Sequence, residues 1–194
     1  GIRWANQAGT FKWNSVVNDR LFVNTTLSAS GYDYFLYVDV ANNTRWNSHI
    51  ANIGLKSDFT YFVKPGSELN FGVGITGYNF NPGNFEVQAA QPSPRVSSVR
   101  NSSEFILYGS HDVELGDQWK LDYGIRMSAW ANSGNSFEFI FNESGVATDT
   151  LYFDQGETYG RYVNLEPRLA LRYMIGDNGS LKASYSRNVQ NVHM

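Results

Sequence analysis

The chain has 194 residues, with 15 basic and 18 acidic side chains for a net charge of −3, and no cysteine. That balance argues against a basic nucleic-acid-binding surface and excludes disulfides and thiolate chemistry. Aromatic residues make up 15% of the chain and charged residues 17%, below the usual charged share of about 25%, as expected where one side of each strand meets lipid and aromatics gather at the interfaces.

No run approaches the ~20 apolar residues of a membrane helix, which leaves strands as the means of crossing a bilayer. The opening, Gly1-Ile-Arg-Trp-Ala-Asn6, has no signal-peptide core. The expectation is that a leader has been removed or that the chain begins inside something larger.

Taken in order, the alternation of apolar and polar residues predicts a first strand over about 8–17, with Phe11, Trp13 and Val17 opposite Thr10, Lys12 and Asn14. Asn18-Asp19-Arg20 turns the chain. A second strand runs from Leu21 to about Val40, longer than the ~9–11 residues that cross a bilayer, so its far end should project beyond it. After a polar stretch at 41–47, a third strand reaches Val63. Lys64-Pro65-Gly66-Ser67 forms a tight turn, since Pro fixes φ and Gly accepts positive φ. A fourth strand places Leu69, Phe71, Val73 and Ile75 opposite Glu68, Asn70, Gly72 and Gly74.

Residues 79–101 are polar, carry Pro82, Pro92 and Pro94, and read as a long loop. The fifth strand, about 103–115, alternates less cleanly. Phe105 and Leu107 share a parity with His111 while Ile106 and Tyr108 take the other, which predicts a bulge that shifts the register. Gly116-Asp117-Gln118 turns, and a sixth strand sets Trp119, Leu121, Tyr123, Ile125 and Met127 against Lys120, Asp122, Gly124, Arg126 and Ser128. Residues 131–160 form a second long connection, in which Phe137-Glu-Phe-Ile-Phe141 extends the hairpin outward. The last hairpin pairs Leu165–Ile175 with a strand from Leu181. The turn between them is Asp177-Asn178-Gly179, where Asn and Gly tolerate positive φ.

The pattern therefore predicts an all-β chain of about eight antiparallel strands in four hairpins, up and down, with short and long connections alternating. That rhythm fits a transmembrane barrel with short periplasmic turns and long extracellular loops. Alternation by itself fits a soluble β-sandwich as well. Trp13, Phe59, Tyr61, Phe71, Trp119, Tyr123, Tyr173 and Tyr185 sit beside the tight turns and should form one interfacial girdle; Phe35, Tyr37, Trp46, Tyr78 and Trp130 should supply the far one.

Nothing in the chain reads as catalytic. His49, His111 and His193 lie in separate hairpins without ligand spacing, and no nucleophile elbow, zinc-protease motif or phosphate loop occurs. Neither an enzyme nor a cofactor or metal is expected.

Leu165-Glu-Pro-Arg168, Leu171-Arg-Tyr173, Leu181-Lys-Ala-Ser-Tyr-Ser-Arg187 and Gln190-Asn-Val-His193 together resemble a barrel hairpin of TonB-dependent outer-membrane receptors. Gly1-Ile-Arg-Trp4, Phe11-Lys-Trp-Asn14, Asp19-Arg-Leu-Phe22 and Asn24-Thr-Thr-Leu27 resemble an earlier hairpin of the same family. The resemblance implies that residues 1–194 are part of one transmembrane barrel domain in the outer membrane of a Gram-negative-type cell. No plug is found within these residues. It also implies energised import of a nutrient of siderophore, glycan or peptide type. The implied partners are outer-membrane lipid, the rest of the barrel and its plug, the TonB energy-coupling protein through segments not present here, and a surface lipoprotein.

Two other readings compete: a complete eight-stranded barrel with an adhesive or structural role, and a soluble β-sandwich binding module. In the receptor reading the even-numbered residues Lys12, Lys56, Asp58, Lys120, Asp122, Arg126, Glu166, Arg168, Arg172 and Lys182 face the lumen. Of these, Lys56, Asp58, Arg126, Glu166, Arg168 and Arg172 are the candidate contacts within the wall or to a plug. Substrate groups are expected in the long loops, which sequence does not resolve to named residues.

Overall fold

The structure is a computed structural model that describes residues 1–38, 44–86, 99–134, 136–176 and 178–189. It has ten strands: β1 Ile2–Asn18, β2 Leu21–Val38, β3 Thr44–Lys64, β4 Ser67–Glu86, β5 Arg100–Leu115, β6 Trp119–Ser133, β7 Ser136–Phe141, β8 Ala147–Phe153, β9 Thr158–Ile175 and β10 Gly179–Ser186. Eight of them form one antiparallel sheet in the order β1-β2-β3-β4-β5-β6-β9-β10, and β7 pairs with β8 separately. This is the up-and-down meander that the alternation predicts. Among the described residues no ladder joins β1 to β10, so the sheet has two edges.

The tight turns fall where the sequence places them. At the first, the Asn18 side-chain oxygen accepts the backbone N–H groups of Arg20 and Leu21 at 2.9 Å each, an Asx arrangement that closes the turn locally. At the last, the left-handed residue is Gly176, with φ 61°. Gly179 already belongs to β10, where it pairs with Ile175. The turn therefore uses a different glycine from the one expected.

Several strands are longer than predicted. β1 begins at Ile2, where Ile2 and Trp4 put apolar side chains on the even face, opposite to the odd-face parity of Phe11 and Trp13 that marks the rest of the strand. The expected loop at 79–101 is strand as far as Glu86. There Asn47 pairs with Asn84 and His49 with Asn81, so Pro82 and Gly83 both stand opposite Ser48 as a bulge. Trp46 Nε1 donates to the Pro82 carbonyl at 3.0 Å. Conversely, β5 has no bulge: its pairing with β4 and with β6 is continuous from Asn101 to Val113. Residues 131–160 are organised as the end of β6, the β7–β8 hairpin and the start of β9. Ring stacking of Phe153 on Tyr159 at 4.2 Å joins the hairpin to the main sheet. Residues 87–98 of the first long loop and Gln190–His193 lie outside the described residues, and Arg100 and Asn101 already belong to β5.

The two faces differ in kind. Phe11, Leu27, Leu55, Ile75, Phe105, Ala129 and Val163 follow one another across seven strands of the odd face. The six larger members of that row leave 40–67% of their surface uncovered. They form a continuous apolar band on which, among the described residues, no second sheet is packed. The aromatics beside the tight turns share this face: Phe59 stacks on Phe71 at 5.1 Å and Trp119 leans on Tyr173 at 4.4 Å.

The expected far girdle is corrected. Tyr78 and Trp130 have even parity and pack together on the other face, 5.1 Å between ring centroids. The Tyr78 hydroxyl donates to Glu104 at 3.2 Å, and Trp130 is 4% exposed with its indole N–H donated to Asn132 at 2.9 Å. Trp46, also even, meets Tyr34 edge-on. Of the residues assigned to that girdle, only Phe35 and Tyr37 keep the odd parity.

Candidate functional site

The even face gathers the polar side chains. Ladder register sets Asp58, Gly72, Tyr108, Arg126 and Glu166 side by side across β3, β4, β5, β6 and β9. Gly72 opens this row: a side chain there would start 2.7 Å from the Tyr108 ring and 2.7 Å from the Ser57 carbonyl. Tyr108 instead lies over the glycine and donates its hydroxyl to Asp58 Oδ1. Lys56 Nζ reaches the same oxygen at 2.8 Å and stands 5.4 Å from the Tyr108 ring centroid. Lys56 and Asp58 are thus brought together, with Tyr108 as a third member that sequence reading missed. Its even parity is the signal the sequence carries, and the bulge predicted there does not form.

Arg126 and Glu166 are directly opposite in register, yet each finds another partner. Arg126 Nη2 stands 4.0 Å from Glu104 Oε1 on β5. Glu166 is 7% exposed and accepts a hydrogen bond from Ser128 Oγ at 3.2 Å. Glu104 and Ser128 complete these contacts and were not among the candidates.

Arg168 and Arg172 are different. Both are exposed, and among the described residues neither has an ion-pair partner. Arg172 stands between Lys120 of β6 and Lys182 of β10 in register. The acids of this face include Glu68 on β4, Glu104, Asp112 and Glu114 on β5, and Asp122 on β6, which stands opposite Ala170 between Arg168 and Arg172; among the described residues the one ion pair from them to the cationic row is Lys120 to Asp112 at 3.8 Å.

The histidines serve as hydrogen-bond partners where they are described. His49 Nδ1 is 2.6 Å from Asp33 Oδ1, and His111 lies between Ser67 Oγ and the Tyr123 hydroxyl at 2.9 Å each. Among the described residues no group of three His, Asp or Glu side chains is placed to hold a metal.

The family model for the β-barrel of TonB-dependent receptors matches residues 1–191. The chain belongs to that family of outer-membrane transport barrels. No curated protein matches it in sequence. Among solved structures it is similar to a double mutant of the Serratia marcescens hemophore receptor HasR, in complex with its hemophore HasA and heme. Identity is 14% and the TM-score 0.38, covering 95% of this chain and 33% of that one. It is also similar to the beta domain of the Bordetella autotransporter BrkA, at 11% identity and a TM-score of 0.32, covering 96% of this chain and 80% of that one. The chain spans about a third of the length of HasR. The soluble sandwich and the adhesive barrel, the two competing readings of the alternation, have no such family support.

Proposed function

We propose that the chain is part of the wall of a multi-pass outer-membrane barrel, within a receptor that imports a scarce nutrient of siderophore, glycan or peptide type. The odd face meets hydrocarbon. The even face lines the interior, where Lys56, Asp58, Tyr108 and the Arg126–Glu104 pair stiffen the wall, while Arg168 and Arg172 contact material held inside. The wall performs no covalent chemistry; it holds a ligand-gated plug, and the TonB protein supplies energy through segments outside residues 1–194. A surface lipoprotein is a further partner in this scheme.

The observation that carries this reading is the family match across residues 1–191. It is supported by the uncovered apolar row, which a soluble sandwich would bury. The test is growth of cells carrying or lacking the intact receptor under iron, glycan and peptide limitation, with and without the coupling protein. Loss of growth on one nutrient in both deletions is expected. Equal growth in all conditions would overturn the proposal.

A further inference from the structure

The even face changes character along its length. Toward the tight turns its first four strands carry Lys12, Lys56, Asp58 and Glu68. Toward the other end, over 2–10, 26–36, 46–54 and 74–80, the same strands hold no charged even-face side chain among the described residues. Arg3, Asp33, Arg45 and His49 at this end have odd parity, and Glu86 is paired with Arg45 beyond the bulge. Charge resumes on β5, where Arg100 stands opposite Phe80, and Glu104, bonded to Tyr78, stands opposite Thr76. What fills the uncharged area is aromatic and neutral polar. Trp4 is opposite Tyr34, and Tyr34 meets Trp46 edge-on with 5.8 Å between ring centroids. Asn6, Tyr32, Ile50 and Phe80 form the neighbouring row. Trp4 is 67% exposed, Tyr32 40% and Trp46 37%. The Trp46 indole N–H is donated to the Pro82 carbonyl, which fixes the plane of its ring. Asn52 donates to Ser30 at 2.9 Å. Among the described residues the Asn6 amide and the Tyr32 and Tyr34 hydroxyls take no protein partner.

We infer that this uncharged aromatic area is a binding surface for a neutral oligosaccharide, inside the barrel at the end away from the tight turns. The inference rests on the barrel-wall reading above and selects one nutrient class within it. A sugar ring has an apolar C–H face and a rim of hydroxyls. The C–H face packs on the electron-rich face of an aromatic ring. The hydroxyls both donate and accept, so they match amide and phenol groups that carry no charge. Trp4 and Tyr32, exposed on neighbouring strands and one row apart, supply the ring faces, and Asn6 and the two tyrosine hydroxyls supply the polar contacts. An anionic ferric chelate, or a peptide with ionised ends, would give up water here for a surface with no opposite charge to meet it, a cost that a neutral sugar does not incur.

The experiment is titration of the purified intact receptor, in a detergent without a sugar headgroup, with maltoheptaose, cellohexaose, xylohexaose and mannohexaose, read by calorimetry and tryptophan fluorescence. A ferric catecholate chelate and tetra-alanine are run alongside. Saturable binding of at least one oligosaccharide, and of neither other probe, is expected. Trp4→Ala should weaken that binding about tenfold, the worth of one aromatic contact, and Trp4→Phe should restore most of it. Because Trp4 is exposed, both variants should keep the heat-modifiable gel mobility of a folded barrel. Failure of every oligosaccharide to bind, tighter binding of the ferric chelate or the peptide, or unchanged affinity in Trp4→Ala would overturn the inference. A parallel Leu55→Cys variant separates the two levels. If that outward cysteine reacts with a membrane-impermeant thiol reagent, the barrel-wall reading itself fails. If it is protected while no oligosaccharide binds, only the oligosaccharide inference fails.

Discussion

Tyr108 donates its hydroxyl to Asp58 from two strands away, because Gly72 on the strand between them leaves the space its ring occupies. A missing side chain on β4 thus allows β3 and β5 to be tied directly, and Lys56 charges the tie from the same side. The contact depends on three residues separated by 50 positions in sequence, between Asp58 and Tyr108.

Gly72→Val tests that dependence. The new side chain meets the Tyr108 ring and a backbone carbonyl, and only the ring can move. Overpacking of this kind costs about 1–3 kcal/mol. The intact receptor should unfold at lower temperature in detergent, whereas Tyr108→Phe, which loses only the hydrogen bond, should cost about 1 kcal/mol. Equal stability of Gly72→Val and the parent would mean that the ring does not lie over the glycine.

Gly176→Ala isolates a backbone cost. Gly176 has φ 61°, and nothing lies within 4 Å of where a Cβ would be. The expected loss is about 1 kcal/mol from the left-handed conformation alone, with Gly176→Asn costing less. Denaturant midpoints of the two variants check the order.

The Arg126–Glu104 pair should contribute little. Its atoms are 4.0 Å apart and its side chains 36% and 20% exposed. A double-mutant cycle with Arg126→Met and Glu104→Gln is expected to give a coupling below about 1 kcal/mol. A markedly larger value would place the pair in a drier setting than the sheet provides.

Parity can be read directly, since the chain has no cysteine to interfere. Cysteines at Leu55, Val73, Leu107 and Leu171 should resist water-soluble thiol reagents in intact membranes and react with lipid-soluble ones. Cysteines at Lys56, Ser110 and Ser184 should show the reverse preference. A uniform response across both sets would refute the assignment of faces.

Edge strands distinguish a large barrel from a small one. With cysteines placed at Asn14 on β1 and Ser184 on β10, the receptor reading expects no disulfide between them. Quantitative cross-linking within one molecule would instead show eight strands closed on themselves.

Much of this was legible from sequence because a strand's side-chain period is two, so the outward row through Leu55 and Ile75 and the inward set through Lys56, Arg126 and Glu166 announce themselves by parity. Turns at Asn18, Pro65-Gly66 and Gly116 carry their own local chemistry. Parity fails beyond a bulge, and the bulges opposite Ser48 and around Gly160 have no reliable sequence mark. Residues 79–86 read as loop because Asn79, Asn81, Pro82 and Gly83 are turn-forming types, although Asn79–Asn81 pair regularly and only Pro82 and Gly83 bulge. Tyr78 and Trp130 suit a girdle by residue type and distance from the turns, but their even numbering puts them on the other face. Partners were the least legible part. Whether Arg126 meets Glu166 or Glu104 depends on how side chains lean between rungs, which alternation does not encode.

In the main sheet every ladder but one joins strands consecutive in the chain, and the exception, β6 with β9, merely skips the small β7–β8 hairpin. Such a wall can be laid down one neighbour at a time, four of its seven ladders closing across tight turns. On the barrel-wall proposal, the slow event in its assembly is then the last one, when the open margins along β1 and β10 meet the backbone that completes the ring; until that moment they remain the places where a nascent barrel is open to pairing with the wrong strand.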